Sequence, residues 1–417
     1  GQLTTSSRPF RMYAFAATIS GVGDGMLLVA LPLLLASLDP SPFRIGLVEA
    51  TLMLPWLVIA PFTGVLADRM SRRSLMIISD LFRAVMLVIL ALLVVADQHT
   101  FAVIAVIGFA VAAGETAFDA AAAGMLTSLV GKDVAGLEKA NSVLSFANTG
   151  GNQLIGPLVG GLIFAVAMSA PFAFDAVTFA LSSLLIWRIP RGTEPAATAS
   201  SERSALSEIR EAATWLFSKR ALRALLILTM VANITVMAYW APLVVVAQER
   251  MGVEPRFYGL FLSVLALGSL IGAALAKIVA RRLGSRAGIA VGAAAFGLSV
   301  MIVGWSTNWV QGVVATAGIG VSVVVWSVLA ISLRQSLIPD RMMGRTTSIF
   351  RAGTWGLMPV GAILGGVFAE FVGLWTPYVI FGGLMIITAG YVWLELGAAK
   401  VDDTRSEKAT SEPAPGE

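Results

Sequence analysis

The amino-acid sequence predicts an all-α polytopic membrane protein, with twelve transmembrane helices in two pseudo-symmetric six-helix halves. Three observations predict it. Of 417 residues, 57% are apolar before the 41 glycines are counted, and only 13% are charged. An ordinary soluble domain carries about 25% charged residues, and so few charges could not cover a globule of this size. Apolar stretches of the roughly 20 residues that cross hydrocarbon recur along the chain. The loops between them alternate between rich and poor in Lys and Arg, which fixes an orientation.

The stretches fall at about 11–38, 45–66, 74–96, 101–124, 140–165, 171–187, 222–247, 257–279, 287–306, 309–333, 347–371 and 375–396. One side of the membrane receives Arg8 and Arg11, then Arg69, Arg72 and Arg73, then Lys132 and Lys139. The same side receives Arg281, Arg282, Arg286, Arg341 and Arg345, and the tail with Lys400, Arg405 and Lys408. The other side has only Arg44, Arg250 and Arg256. Both termini are therefore expected in the cytoplasm of a bacterial cell, with the spans in its plasma membrane. The polar start at 1–7 and the over-long apolar run at 12–38 do not resemble a cleavable signal peptide.

Four units are expected: a first six-helix half at 1–190, a cytoplasmic linker at 191–221, a second half at 222–399 and a disordered polar tail at 400–417. Within the linker, Leu206, Ile209, Ala213 and Leu216 stand at helical spacing, which predicts an amphipathic helix on the inner leaflet. The halves also align internally. Gly156-Pro157-Leu158-Val159-Gly160-Gly161 matches Gly361-Ala362-Ile363-Leu364-Gly365-Gly366, and Ser128-Leu129-Val130 matches Ser336-Leu337-Ile338. Six-plus-six spans repeated in parallel form a secondary transporter with its substrate path between the halves.

The net charge of +4 is accounted for by the basic loops, so no nucleic-acid partner is inferred. With no cysteine and a single histidine, His99, disulfides, thiolate chemistry and the common His-based metal clusters are excluded. No nucleophile–base set is visible. The chain is read as a monomer in the lipid bilayer, not an enzyme, with no cofactor beyond a proton gradient.

Proton chemistry falls to carboxylates. Asp24 lies near the middle of span one within Gly23-Asp24-Gly25, where missing side chains admit close backbone approach and a bend. Glu115 and Asp119 are spaced i,i+4 on one face of span four. A proton carrier is neutral in one state and ionised in another, and intramembrane carboxylates are functional candidates by default. The competing reading is a hydrogen-bonded packing group. Glu49, Asp175 and Glu370 fall within a turn or so of the extracellular edge and read as solvated or gating groups. Arg351 reads as structural. For a bulky amphiphilic ligand the candidates are Asn148, Gln153, Asn233, Tyr239, Trp240, Trp326 and Trp355, which serve equally well as interhelical hydrogen bonds and ordinary membrane tryptophans.

The loop after span two reads Gly64-Val65-Leu66-Ala67-Asp68-Arg69-Met70-Ser71-Arg72-Arg73. It resembles the signature loop of the major facilitator superfamily at every position except Ser71, where that family prefers glycine. The resemblance implies a cytoplasmic latch built from Gly64, Asp68, Arg69, Arg72 and Arg73, with Asp68 capping a helix in the other half. Asp80 and Arg83, three apart in span three, are expected to pair with each other or with the latch arginines. Gly156, Pro157, Gly160 and Gly161 resemble the family's antiporter motif, although Asn152 stands where an upstream glycine is expected beside Gly150 and Gly151. Gly23-Asp24-Gly25, the stretch from Asp80 to Arg83 and Ala140-Asn141-Ser142 are similar to the exporter branch that includes macrolide and enterobactin efflux proteins. That resemblance implies proton-coupled export of hydrophobic or amphiphilic small molecules, drug- or siderophore-like. The alternatives are a lipid or lysophospholipid flippase of the same fold and, in a different class, a non-transporting receptor or scaffold.

The loop charges make a direct prediction about orientation. In intact cells, the Ser201→Cys variant should resist a membrane-impermeant thiol reagent and react after permeabilisation. Labelling from outside would reverse the orientation.

Overall fold

A computed structural model describes residues 7–130, 134–190, 205–338 and 340–411. The described chain is helical: α1 (Arg8–Leu38), α2 (Pro42–Val58), α3 (Ala60–Arg69), α4 (Arg72–Val95), α5 (Phe101–Val130) and α6 (Val134–Asn148). A π-helix (Thr149–Ile155) leads into α7 (Gly156–Val166), followed by α8 (Ala170–Trp187) and the linker helix α9 (Ala205–Ser218). The second half holds α10 (Arg220–Trp240), α11 (Leu243–Glu249), α12 (Pro255–Trp305), α13 (Trp309–Leu337), α14 (Asp340–Phe371) and α15 (Thr376–Ser411).

Ten helices among the described residues are long and apolar enough to cross a membrane. One of them, α12, contains two spans that meet at Gly284, whose φ of 74° favours a residue without a Cβ. The pair α2 and α3 makes another span, interrupted at Ile59 just before a proline in the first turn of α3. Counted this way the spans number twelve, and the protein is a multi-pass membrane protein. Helix α15 continues to Ser411, past the point where polar composition predicts disorder. Extending an existing helix requires no new nucleus.

Helix starts follow local chemistry. Ser7, Ser41, Ser71 and Asn308 cap α1, α2, α4 and α13 by accepting backbone N–H groups. Ser71 has φ −63° and ψ 130°, an ordinary extended conformation. The position where glycine is preferred therefore needs no left-handed backbone here, and serine adds a cap.

Helix α4 shows how the bundle sorts its residues. Its buried face carries Asp80, Arg83, Leu87 and Leu90, while Leu81, Val85, Val88, Leu92 and Val95 are exposed. Polar groups point inward and apolar groups outward, as a hydrocarbon solvent demands. Such helices gain little hydrophobic drive toward one another and associate through close packing of small residues. A Cβ on Gly156 of α7 would stand 2.6 Å from Gly25 Cα and 2.7 Å from Val22 O of α1. Gly160 meets the backbone of Met26 in the same way.

Both Arg8 and the last helix end lie at one end of the bundle, here the terminal end; the α1–α2 turn marks the far end. Packing between the halves concentrates toward the far end. There Gly46 of α2 meets Ala362 and Gly366 of α14, and Gly161 of α7 meets Gly259 of α12. Ser41 Oγ donates to Glu370 Oε2 at 3.0 Å, and the Phe43 and Phe371 rings lie 5.9 Å apart. Ser263 Oγ of α12 donates to the π-helix carbonyl of Leu154 at 3.1 Å.

These contacts predict a sharp contrast between two nearby glycines. Gly156→Val should lower stability in detergent by about 1–3 kcal/mol, because an over-packed contact must spread two helices. Gly150→Ala should change the unfolding temperature little, since a Cβ there meets nothing within 4 Å. Equal unfolding temperatures for the two variants would contradict the packing argument.

Candidate functional site

The site is built around one buried cation. Arg83 falls at the middle of α4, and its Nη2 donates to Asp24 Oδ1 of α1 at 2.7 Å. Its other Nη lies 3.9 Å from Asp80 Oδ1, and its guanidinium stacks 3.8 Å over the Phe179 ring of α8. Gly114 of α5 leaves room for the stem, since a Cβ there would come within 2.7 Å of Arg83 Cγ. Asp24, Asp80, Glu115 and Asp175 all stand in electrostatic range of this guanidinium.

The glycines beside Asp24 admit neighbours, and α1 is one uninterrupted helix through them. A Cβ on Gly23 would collide with Asp175 and Thr178 of α8; one on Gly25 would collide with the backbone of Asn152. Close approach is therefore present at these positions.

Two cavities meet at this cluster. One, about 530 Å³, extends toward the terminal end past Tyr13, Asp119, Asn141 and Asn148. The other, about 210 Å³, extends toward the far end past Glu49, Trp56 and Trp240. Asp24, Arg83, Glu115 and Asn152 line both. Asp119 is exposed on the terminal side, one turn from the half-buried Glu115.

Of the two pairings expected for Asp80 and Arg83, the mutual one is present, and they stand apart from the loop arginines because α4 starts at Arg72 and carries them to mid-helix. Other sequence expectations move. Asp175 is 0% exposed and reaches no edge. Helix α8 has only 18 residues, so a position near its start lies level with Gly23, well inside the longer α1. Thr178 Oγ1 donates to Asp175 Oδ1 at 2.7 Å, while Oδ2 lacks a hydrogen-bond partner among the described residues. Glu49 is buried and faces the far-side cavity.

Arg72 Nη1 donates to the Gly124 carbonyl at 3.0 Å, and Arg73 donates to the carbonyls of Ile186 and Trp187 at the end of α8. These two arginines brace spans of their own half, Arg73 as a cation at a helix C-terminus does. Arg69 is exposed, and the side-chain surroundings of Gly64 and Asp68 lie outside the described residues.

Of the ligand candidates, Asn148 and Trp240 line the central cavities, and Trp326 and Trp355 line one in the second half. Gln153 is exposed on the π-helix, and its neighbour Asn152 takes the cavity position instead. Asn233 donates to Thr229 O within its own helix, and Tyr239 is packed against Trp240 and Tyr378 in the core. Sequence reasoning missed Trp56, whose ring lies 4.5 Å from that of Trp355.

A twelve-span bundle with buried charged groups where two cavities meet has the architecture of a membrane transporter. The chain belongs to the Major Facilitator Superfamily, whose sequence pattern matches residues 13–352 and 225–416. It is 26% identical over 382 residues to an uncharacterized transporter of this type, YfiS of Bacillus subtilis, covering 89% of each chain. It is 25% identical to the multidrug efflux pump Tap of Mycolicibacterium fortuitum, covering 92% of this chain and 94% of the pump. Identity to macrolide efflux protein A of Streptococcus pyogenes is 24%, with 89% and 92% covered. The fold matches a crystal structure of the nucleoside transporter NupG with a TM-score of 0.72 at 13% identity, covering 94% of this chain and 99% of that one.

The ion pair predicts its own energetics. Arg83→Gln should destabilise the protein by about 3–5 kcal/mol, because it strands buried carboxylates. Asp24→Asn should cost less, since Arg83 keeps its other acidic neighbours, and the double variant should recover part of the loss. Additive losses in thermal unfolding would mean that the two side chains act independently.

Proposed function

We propose that the protein exports amphiphilic small molecules in exchange for protons, by alternating access across a bacterial plasma membrane with the terminal end in the cytoplasm. The observation that carries this reading is the pair Asp24–Arg83, shared with Glu115 between a cavity toward each end. One guanidinium neutralises one carboxylate. Each further ion held away from water costs several kcal/mol, so protons are the natural way to balance the remaining acids.

In the outward-open state water reaches Asp24 from the far-side cavity and delivers a proton there. Arg83, released from that charge, turns toward Glu115 in α5, and the halves rock. Opening to the cytoplasm lets the proton leave through Glu115 and Asp119, and Asp24 recaptures Arg83. Substrate enters against Trp56 and Trp240, whose apolar faces suit a large flat molecule. The relatives named as multidrug and macrolide efflux proteins support a drug-like cargo.

A membrane potential of 100 mV supplies ~2.3 kcal/mol per charge moved, enough for roughly fifty-fold accumulation per proton in an electrogenic cycle. Asp24→Asn should therefore abolish uphill transport into energised vesicles while leaving downhill exchange, and Glu115→Gln should flatten its dependence on pH. Uphill transport by Asp24→Asn with the pH dependence of the unmodified protein would remove Asp24 from the coupling step.

A further inference from the structure

The second half holds a cavity of its own. Helices α10, α13 and α14 enclose about 210 Å³ on the terminal side of the Trp56–Trp355 contact. The described residues that line it include Arg334, Arg351, Trp326 and Trp355, and none of them is acidic. The cavities of the first half have the opposite character, with Asp24, Glu49, Glu115 and Asp119 in their walls.

Arg334 is half-buried and Arg351 exposed at the mouth of the cavity. Among the described residues, neither Arg334 nor Arg351 makes an ion pair or a hydrogen bond. Arg334 lies 4.4 Å over the Phe350 ring, which orients its plane without neutralising it. Arg351 feels Asp119 across the cleft as its acidic counterpart in the first half. Trp326 is 6% exposed, and its indole N–H lacks a hydrogen-bond partner among the described residues. The Thr229 hydroxyl donates back to Leu225 O of its own helix, leaving the guanidiniums as the charged donors of this wall. Guanidinium is the side chain best shaped for carboxylate, sulfonate and phosphate, which it binds through two parallel N–H groups.

We propose that this cavity is a subsite for an acidic group. The substrate is an anionic or zwitterionic amphiphile: its acid sits at Arg334 and Arg351, and its apolar body lies along the Trp355–Trp56 pair toward the central cavity. The assignment rests on the transporter reading above and sets the charge of its cargo. For a zwitterion the two halves divide the recognition, the acid going to the second half and the cationic group to Glu49 or Glu115.

The test uses purified protein in nanodiscs with two dyes of one skeleton, anilinonaphthalenesulfonate and its uncharged counterpart phenylnaphthylamine. Arg334→Gln and Arg351→Gln should each weaken sulfonate binding by about tenfold, the scale of one charge-assisted hydrogen bond, and leave the neutral dye unchanged. Arg334→Lys and Arg351→Lys should restore most of it. Unchanged sulfonate affinity in the double Gln variant, or parallel loss of both dyes, overturns the subsite. Competition separates the sources of the acid. Displacement of the sulfonate dye by lysophosphatidic acid alone assigns a lipid, by naphthoate alone a small aromatic acid, and by neither overturns the proposal. The measurement needs no gradient. Its failure leaves the Asp24 coupling test standing, and failure of that test leaves dye binding untouched.

Discussion

Everything in the first half is arranged around the removal of a guanidinium from water. Arg83 is 2% exposed at the middle of a membrane helix, where an unpaired charge is among the costliest groups a protein can hold. Four elements answer that cost. Helix α1 brings Asp24 to hydrogen-bonding distance, α4 brings Asp80 one turn away, α5 withdraws its side chain at Gly114, and α8 lays Phe179 under the cation. The close contacts between α1, α4, α5 and α8 thus serve a polar purpose in a bundle whose outer faces are apolar. Carboxylates outnumber cations at this point, an excess that the proposed exchange of protons would use.

The two halves solve different problems with similar backbones. Inside each half, neighbours are fixed by side-chain and carbonyl bonds, such as Arg73 at the end of α8 and Arg250 on Gly304 O at 2.8 Å. Between the halves, the far-end seam is mostly glycine against backbone, at Gly46–Ala362, Gly161–Gly259 and Gly366–Pro42. Smooth surfaces of that kind pack closely yet carry few directional bonds that a rocking motion must break. The polar exceptions, Ser41–Glu370 and Ser263–Leu154, sit at that seam.

Much of this is legible from residue patterns, and the losses have a common cause. Composition and loop charges predict the spans, and Asp24, Glu115 and Asp119 announce themselves as acids in apolar runs. Counting along a helix gives depth only when helices begin at the same level. The short α8 begins deeper, so counting puts Asp175 at an edge while it packs against Gly23. Spacing alone pairs Arg83 with Asp80, three residues away, and gives no sign of the shorter bond to Asp24 on another helix. The register of span five hides Asn152 behind Gln153, because a π-helix shifts side chains relative to the α-helical period. Trp56 carries no signal that separates a cavity wall from a lipid-facing tryptophan.

The Asp24–Arg83 pair joins residues 59 positions apart, and this separation matters before the protein is finished. Helix α1 leaves the ribosome first, and α4 follows only after the intervening chain has been made. At about 5–20 residues per second, some 3–12 s pass between the synthesis of the acid and that of its base. Through that interval α1 carries a carboxylate whose native partner does not yet exist. Its entry into the bilayer then depends on a temporary partner: water, a bound proton or the wall of the insertion machinery. Assembly of the first half is in this sense an ordered event, completed when α4 arrives and takes over a role that something else had been filling.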